Sequence, residues 1–210
     1  MRRYHAIVIG VSAGGLEALS TILPGLSKAF SLPMIVVQHR AEDTDGFVAE
    51  SLNSLSQVRV KEAEDKEPLR AATVYLAPAS YHLLVEPDQT LSLSVDPRVN
   101  YARPSIDVLF ESAADAYQHT LVGVILTGAN RDGAEGLARV KECGGLAVVQ
   151  DPDTAEFEMM PREALAAVPN VDHMVPLDDL APLLEKLAAS KAIPTRAKAQ
   201  SRSVPKETMP

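Results

Sequence analysis

A serine and a histidine, a pair that drives acyl transfer in many hydrolases, each stand within two residues of the end of a short apolar run of this sequence. Ser12 follows the run 6–10, within the glycine-containing segment 10–15 (GVSAGG). His39 follows the run 34–38 (MIVVQ). A serine in a tight turn that opens a helix is held out on a sharp bend, and the neighbouring backbone amides can bind an oxyanion. The pair predicts nucleophilic catalysis, with the serine as nucleophile and the imidazole as general base.

The other four histidines stand at positions that do not suit a general base. In an open α/β sheet, substrates bind beyond the carboxyl ends of the strands. His5, His119 and His173 lie at or before predicted strand starts, which places them at the opposite edge. His82 belongs to a predicted hairpin. His39 alone directly follows a predicted parallel strand, at the same edge as the serine.

Two aspartates could hold the imidazole in the tautomer that catalysis needs. Asp132 lies in the segment 126–133 (LTGANRDG), at the end of a predicted strand. Asp151 directly follows the predicted strand 146–150. Both carboxylates are expected at the edge where His39 lies, and spacing leaves the choice between them open. The chain order Ser, His, Asp differs from that of α/β-hydrolases, in which the acid precedes the histidine.

The glycine-rich turn has two other interpretations. Ser12 can act only as a helix cap. A dinucleotide-binding module is the second, but the pattern G-x-G-x-x-G needs glycine at position 12, and the second strand should end in an acid that binds the ribose. Gln38, His39 and Arg40 stand there instead. Arg40 could bind a 2′-phosphate, so this module stays an alternative.

These residues need a scaffold of strands and helices, and the sequence has the matching pattern. Short apolar runs alternate with amphipathic stretches, which is typical of parallel strands joined by helices. Between residues 58 and 93, short alternating segments separated by Pro and Asp predict an antiparallel hairpin insert. We therefore predict an α/β fold: a doubly wound, mostly parallel sheet with an antiparallel hairpin insert, in a Rossmann-like three-layer αβα arrangement. The predicted strands are 6–10, 34–38, 73–77, 83–85, 91–93, 121–126, 146–150 and 173–175, and the predicted helices are 16–26, 106–117, 134–143, 161–167 and 177–189.

Length and charge limit the domain organisation and the partners. The chain of 210 residues suits one α/β domain, which we place at residues 1–189. Residues 190–210 lack apolar periodicity and carry five basic residues and one acid, which predicts a disordered basic tail. The formal net charge of the whole chain is -8, so nucleic acid is not expected as a partner.

Compartment and cofactors follow from what the sequence lacks. The single cysteine, Cys143, cannot form an intrachain disulfide, which favours a cytoplasmic location. No stretch reaches the roughly 18 apolar residues of a membrane span, so membrane insertion is not expected. No cluster of Cys, His or acidic residues has metal-ligand spacing, so we expect neither a metal nor a cofactor.

Seven segments together resemble the catalytic domain of the CheB-type chemotaxis protein-glutamate methylesterases, in register over about residues 4–188. The segments are 8–15 (VIGVSAGG), 36–39 (VVQH), 60–65 (VKEAED), 75–78 (YLAP), 103–110 (RPSIDVLF), 122–128 (VGVILTG) with Asp132-Gly133, and 160–164 (MPREA). The resemblance implies hydrolysis of glutamate methyl esters on the cytoplasmic helices of methyl-accepting chemotaxis receptors, releasing methanol, with glutamine deamidation as a second activity. It also implies the triad Ser12, His39 and Asp132, and so favours Asp132 over Asp151.

Several positions near this triad depart from the family pattern, and at two of them alanine replaces a larger residue. The family loop Gly-Met-Gly-Asn-Asp-Gly is here 128–133 (GANRDG), so Ala129 replaces a methionine whose backbone amide the resemblance assigns to the oxyanion hole. Ala13 replaces a threonine that commonly follows the nucleophile. These departures keep another alternative open, a catalytically weak adaptor that binds receptors. Our candidates for binding the oxyanion or the substrate are Ala13, Gly14, Ala129 and Arg103.

Regulation is the last expectation from the resemblance. Family members often carry an N-terminal receiver domain, and Ser12 lies only eleven residues after Met1. We therefore expect constitutive activity or control by a separate regulatory protein.

An acidic body and acidic receptor helices repel each other, so local basic features are expected to offset the repulsion. The candidates are Arg40, Arg103, Arg131 and the basic tail.

Overall fold

Seven parallel strands form the centre of the computed structural model, which describes residues 4–39 and 47–189. In chain order the strands are β1 (Ala6–Val11), β2 (Met34–Gln38), β3 (Arg59–Glu62), β4 (Thr73–Leu76), β5 (His82–Val85), β6 (Leu91–Ser94), β7 (Leu121–Ile125), β8 (Leu146–Gln150) and β9 (His173–Val175). The order across the main sheet is β3-β4-β2-β1-β7-β8-β9, and each neighbouring pair runs parallel. Strands β5 and β6 form a separate antiparallel pair.

Helices cover both faces of the main sheet. The helices are α1 (Gly15–Ile22), α2 (Phe47–Leu55), α3 (Ile106–Tyr117), α4 (Ala134–Glu142), α5 (Met159–Ala167) and α6 (Leu177–Ala188). One apolar cluster packs α1, α2 and α6 against the sheet, and a second packs α3, α4 and α5 against the other face. The predicted doubly wound, three-layer α/β fold is confirmed.

Burial on both faces explains why the central strands are apolar at successive positions. In β1, Ile7 and Ile9 belong to the cluster on one face, and Val8 belongs to the cluster on the other. Successive strand side chains point to opposite faces, so a strand covered on both sides is apolar throughout. The run 6–10 was recognisable as a strand for this reason.

The extent of the predicted hairpin insert was wrong. The segment 73–77 was assigned to the insert, but β4 lies inside the main sheet, parallel to β2 and β3. Only β5 and β6 pair as a hairpin. All four residues of β4 are buried, so this strand is a short apolar run covered on both faces, and four residues are too few to distinguish it from an alternating hairpin strand.

The order in which strands are added to the sheet reverses beside β1, and the crevice of the site lies at this switch point. From β1 the chain moves to β2 on one side, and later it returns to β7 on the other side of β1. Ligands of open α/β sheets bind beyond the carboxyl ends of the strands at such a point. Gly10, near the end of β1, leaves room for α3, because a Cβ there would overlap the side chain of Ile106.

Two further outcomes concern chain segments away from the crevice. The helix predicted at 16–26 ends as an α-helix at Ile22 and continues as a 3-10 turn, Leu23–Gly25, because Pro24 has no N–H to continue the α-helical bonding. The predicted tail, 190–210, and the candidate Arg40 lie outside the described residues. Among the helices that the structure describes, none is long and apolar enough to cross a membrane.

Candidate active site

Ser12 occupies the tight turn between β1 and α1. Its backbone N–H donates to the carbonyl of Thr127 at 3.0 Å, and its own carbonyl accepts the N–H of Gly15 at 2.9 Å. Gly14 has a φ of 74°, a backbone conformation that favours glycine. A Cβ at Gly14 would also lie 2.6 Å from Oε2 of Glu156. Hydrogen bonds of both the N–H and the carbonyl of Ser12 therefore fix the turn. The Ser12 side chain lies at the crevice.

His39 lies between the serine and an aspartate. Its backbone N–H donates to the carbonyl of Val11 at 3.0 Å, which places it beside the end of β1. Nδ1 lies 3.2 Å from Ser12 Oγ, and Nε2 lies 2.8 Å from Asp132 Oδ2. The structure thus brings together the three residues that the sequence analysis singled out.

Asp132 is fully buried, and its carboxylate accepts five hydrogen bonds. Besides His39 Nε2, its donors are the N–H of Ile106 (2.7 Å), the N–H of Asp107 (3.2 Å), Ser105 Oγ (2.9 Å) and Asn100 Nδ2 (3.0 Å). Burial alone would raise the pKa of Asp132. The hydrogen bonds from His39, Asn100 and the Ile106 amide outweigh burial and hold the pKa at about 2. Asp132 is therefore a carboxylate at neutral pH.

This carboxylate decides the tautomer of the histidine. An ionised carboxylate can only accept hydrogen bonds, so the Nε2 of His39 that faces Asp132 carries the hydrogen. Nδ1 then has the lone pair, and it faces Ser12 Oγ. A neutral imidazole oriented in this way can take the proton of the hydroxyl, which is the function of a general base.

Asp107 is a second buried carboxylate at the site, and the sequence analysis missed it. It is 4% exposed, and its Oδ1 accepts the N–H groups of Gly133 (2.9 Å) and Gly136 (2.7 Å). Its Oδ2 accepts from Asn100 Nδ2 at 2.7 Å. Burial, together with the adjacent charge of Asp132, raises the pKa of Asp107 to about 6. Asp107 lies three residues before the buried Phe110, and an acid on the apolar face of a helix is the signal that could have found it.

Asn130 was also missed, and it contacts the catalytic candidates directly. Its Oδ1 accepts the backbone N–H of Asp132 at 3.0 Å, and its Nδ2 lies 3.2 Å from His39 Nδ1. The segment 128–133 carries Asn130 where the family loop has glycine. A polar side chain at a position of a catalytic loop that usually has none was the available signal.

The remaining predicted site residues divide into two groups. Within the described residues, the N–H groups of Ala13, Gly14 and Ala129 have no hydrogen-bond acceptor. Arg103 instead binds the backbone of the preceding loop. Its Nη1 donates to the carbonyls of Val95 (2.7 Å) and Asp96 (3.1 Å). We find no contact of Arg103 with the triad in the described ranges.

Asp151 does not reach the imidazole. Its carboxylate accepts the backbone N–H of Asp153 at 3.0 Å and caps a short 3-10 turn. The two aspartates that spacing could not separate are therefore separated by their contacts, since Asp132 binds His39 and Asp151 binds its own loop.

A cleft with a cavity volume of about 550 Å³ begins at Ser12 and runs along α1. Its lining includes Leu16, Glu17, Ser20, Thr21 and Gln38. One side is therefore formed by the exposed face of α1 and the other by the end of β2. Within residues 4–39 and 47–189, no group of three or more His, Cys, Asp or Glu side chains is placed to hold a metal ion.

A parallel three-layer α/β fold with linked Ser, His and Asp side chains at its switch point has the architecture of a serine hydrolase. Residues 7–184 match the CheB methylesterase family, and the chain belongs to this family. The predicted resemblance is confirmed.

Relatives and a solved structure agree with this assignment. A putative protein-glutamate methylesterase/protein-glutamine glutaminase of Leptospira interrogans is 53% identical over 184 residues, which are 88% of this chain and 95% of that protein. Protein-glutamate methylesterase/protein-glutamine glutaminase 1 of Pseudomonas fluorescens is 38% identical over 89% of this chain, but the match spans only 55% of the Pseudomonas protein. The crystal structure of the Thermotoga maritima CheB methylesterase catalytic domain superposes with a TM-score of 0.84 at 33% identity, covering 88% of this chain and 98% of that one.

Proposed function

We propose that this protein hydrolyses the methyl esters of glutamate side chains on methyl-accepting chemotaxis receptors in the cytoplasm, with Ser12, His39 and Asp132 as its catalytic triad. The observation that carries the proposal is the continuous chain of contacts from Ser12 Oγ through the imidazole to Asp132 Oδ2. The names of the Leptospira and Pseudomonas relatives support glutamate methyl esters as the substrate class.

Acylation begins when Ser12 Oγ attacks the γ-carbonyl carbon of the methylated glutamate. The hydroxyl proton moves to His39 Nδ1, and the resulting imidazolium is stabilised by the carboxylate of Asp132. The carbonyl oxygen becomes an oxyanion, for which the unoccupied backbone N–H groups of Ala13, Gly14 and Ala129 are the available donors. The intermediate then expels the methoxy group, which leaves as methanol with the Nδ1 proton.

Deacylation repeats the same proton transfers with water as the nucleophile. The imidazole takes a proton from water, the hydroxide attacks the acyl carbon, and Ser12 leaves with the proton from Nδ1. The product is a glutamate carboxylate on the receptor. Deamidation of glutamine follows the same route, because an amide gives the same acyl-enzyme with ammonia as the leaving group. The names of the relatives support this second activity.

The site favours this enzyme over the two alternatives. A receptor-binding adaptor does not need a buried carboxylate whose pKa is held at about 2 by hydrogen bonds that include one from the imidazole. A dinucleotide-binding turn needs close backbone approach at position 12, where Ser12 presents its side chain to His39. Pre-arranged nucleophile, base and acid are the features that hydrolysis requires.

The test is release of methanol from receptors that carry labelled methyl groups. The wild-type chain should release labelled methanol and should be labelled by a fluorophosphonate at Ser12, whereas Ser12→Ala should do neither. Ser54→Ala is a matched control, because Ser54 is an exposed serine of α2 whose hydroxyl donates to the carbonyl of Ser51. Absence of methanol release from the wild-type chain, or equal labelling of Ser12→Ala, would contradict the proposal.

A further inference from the structure

The carboxamide of Asn130 lies beside the atoms that react. Its Nδ2 is 3.2 Å from His39 Nδ1, and Ser12 Oγ is at the same distance from that nitrogen. Its Oδ1 accepts the N–H of Asp132 at 3.0 Å. A backbone N–H needs an acceptor, so this bond identifies the oxygen end of the carboxamide, and the NH₂ group faces the histidine.

Two donors therefore share one acceptor. His39 Nδ1 has a single lone pair, because Nε2 carries the hydrogen that Asp132 accepts. The hydroxyl of Ser12 and the NH₂ group of Asn130 both approach this lone pair. The amide consequently lies on the same side of the imidazole as the oxygen that will bond to the substrate.

Proton transfer removes the acceptor of Asn130. Once the Ser12 proton has moved to Nδ1, that nitrogen is itself a donor and repels the N–H of the carboxamide. Negative charge appears on the substrate carbonyl oxygen in the same step. A donor that becomes available at this moment binds the transition state more strongly than the ground state, which is the condition for raising kcat.

We propose that Asn130 is a further catalytic residue, whose Nδ2–H donates to the oxyanion of the tetrahedral intermediate on Ser12. The inference rests on the proposed ester hydrolysis. In the step concerned, the Oγ–C bond forms, the carbonyl π pair moves to the oxygen, and the Oγ proton moves to Nδ1. On collapse the pair returns, the bond from carbon to the methoxy oxygen breaks, and the Nδ1 proton leaves with methanol. Nδ1 then offers Asn130 its lone pair again.

The surroundings of Asn130 suit this function. Its Oδ1 is anchored on the backbone of Asp132, so the carboxamide is held by the same loop that supplies the acid. Ala13 and Ala129 offer the site only backbone donors, because their side chains have none. A carboxamide supplies two N–H groups, and in the described part of the chain Nδ2 contacts only the imidazole. Asn130 therefore provides a side-chain donor beside His39, which Ala13 and Ala129 cannot do.

The test compares a peptide carrying a glutamate γ-methyl ester with its thionoester analogue, in which sulfur replaces the carbonyl oxygen. Sulfur accepts hydrogen bonds weakly, so an oxyanion donor contributes less to cleavage of the thionoester. Asn130→Ala should lower kcat for the oxygen ester about 10²- to 10³-fold, with KM nearly unchanged. The loss with the thionoester should be at least tenfold smaller. A residue that only supports the loop would affect both substrates equally.

Asn130→Asp is the second variant, and it keeps an oxygen for the N–H of Asp132 while removing the NH₂ donors. It should show the same difference between the two esters. Glu135→Gln is the control, because the exposed side chain of Glu135 pairs with the exposed side chain of Arg131. Equal losses on both esters, or a kcat within about threefold of wild type for Asn130→Ala, overturn the function of Asn130. Wild-type turnover that persists in Ser12→Ala overturns the proposed function instead.

Discussion

Asp107, in helix α3, and Asp132, just before helix α4, each accept hydrogen bonds from N–H groups at the start of the other residue's helix. Asp132, two residues before α4, accepts the first N–H groups of α3, those of Ile106 and Asp107. Asp107, in the first turn of α3, accepts N–H groups at the start of α4, those of Gly133 and Gly136. The first N–H groups of a helix have no partner within it, and its N-terminus favours negative charge. The two carboxylates therefore tie the start of α3 to the start of α4, and Asp132 is held by the start of α3.

Ser12 and His39 should behave as one catalytic unit. Ser12→Ala and His39→Ala are each expected to remove nearly all ester hydrolysis, and the double variant should lose little more than either one. The reason is that the proton transfer between Oγ and Nδ1 needs both partners. The measurement is kcat for methanol release by the three variants. Losses that multiply in the double variant would contradict the assignment of a shared step.

Asp132, and not Asp151, should orient the imidazole. Asp132→Asn is expected to lower kcat at neutral pH by up to about 10⁴-fold, because an amide can hold the imidazole in the wrong tautomer. Asp151→Asn is the matched control, since Asp151 caps a turn and does not contact His39. The comparison uses kcat near pH 7 for both variants. A larger loss for Asp151→Asn would show that the acid was assigned to the wrong strand end.

Asp107 should make the stability of the fold decrease as pH rises from about 4 to about 6. Its pKa is raised from 3.8 to about 6, and burial is the largest cause. Between these values the folded protein binds more protons at this carboxyl than the unfolded chain does, so raising the pH disfavours the folded state. The free energy of unfolding of the wild-type chain, relative to that of Asp107→Asn, should therefore fall across this interval and level off above it.

Chemical denaturation at a series of pH values measures this difference. Asp178→Asn is the control, because Asp178 is also the second residue of a helix, α6, but is exposed. Its difference from the wild-type chain should lack that fall. If the difference for Asp107→Asn rises with pH in the same interval, the carboxyl at position 107 is more acidic in the folded protein than in the unfolded chain.

Tyr101 is held in a backbone conformation that suits glycine. Asn100 and Tyr101 have φ values of 51° and 62°, and they lie between Val99 and Ala102, whose backbones bond each other in both directions. This is the geometry of a type I′ turn, which prefers Asn-Gly. Because Tyr101 is 96% exposed, Tyr101→Gly should stabilise the fold by about 0.5–1 kcal/mol.

A thermal melt of Tyr101→Gly checks this expectation, with Tyr81→Gly as the control. Tyr81 is also exposed, but its φ is not positive, so its replacement should lower Tm. A lower Tm for Tyr101→Gly would mean that the aromatic ring contributes more to stability than its backbone strain removes. Asn100 stays unchanged in this experiment because its side chain bonds both Asp107 and Asp132.

Much of the scaffold and two residues of the proposed triad were readable from local sequence. The run 6–10 is apolar throughout because both faces of β1 are covered, and Ser12 and His39 each directly follow such a strand. In a parallel sheet these strand ends meet at one edge, so local order along the chain is enough to bring the two side chains close. The placement of β4 was not readable, because a four-residue apolar strand has the same local pattern in a hairpin and in a sheet.

The acid and its supports depended on contacts between distant parts of the chain. Residues 132 and 151 both follow strands, and only packing of the start of α3 against the loop after β7 gives Asp132 its donors and its low pKa. Asp107 and Asn130 each carry a local signal, but that signal does not identify the groups that their side chains contact. Their importance comes from which N–H group or ring nitrogen lies within hydrogen-bond distance in three dimensions. Sequence periodicity records which side of an element is buried. Hydrogen bonds between side chains instead need donor and acceptor placed to within a few tenths of an ångström, and only the packing of helices and loops sets those positions.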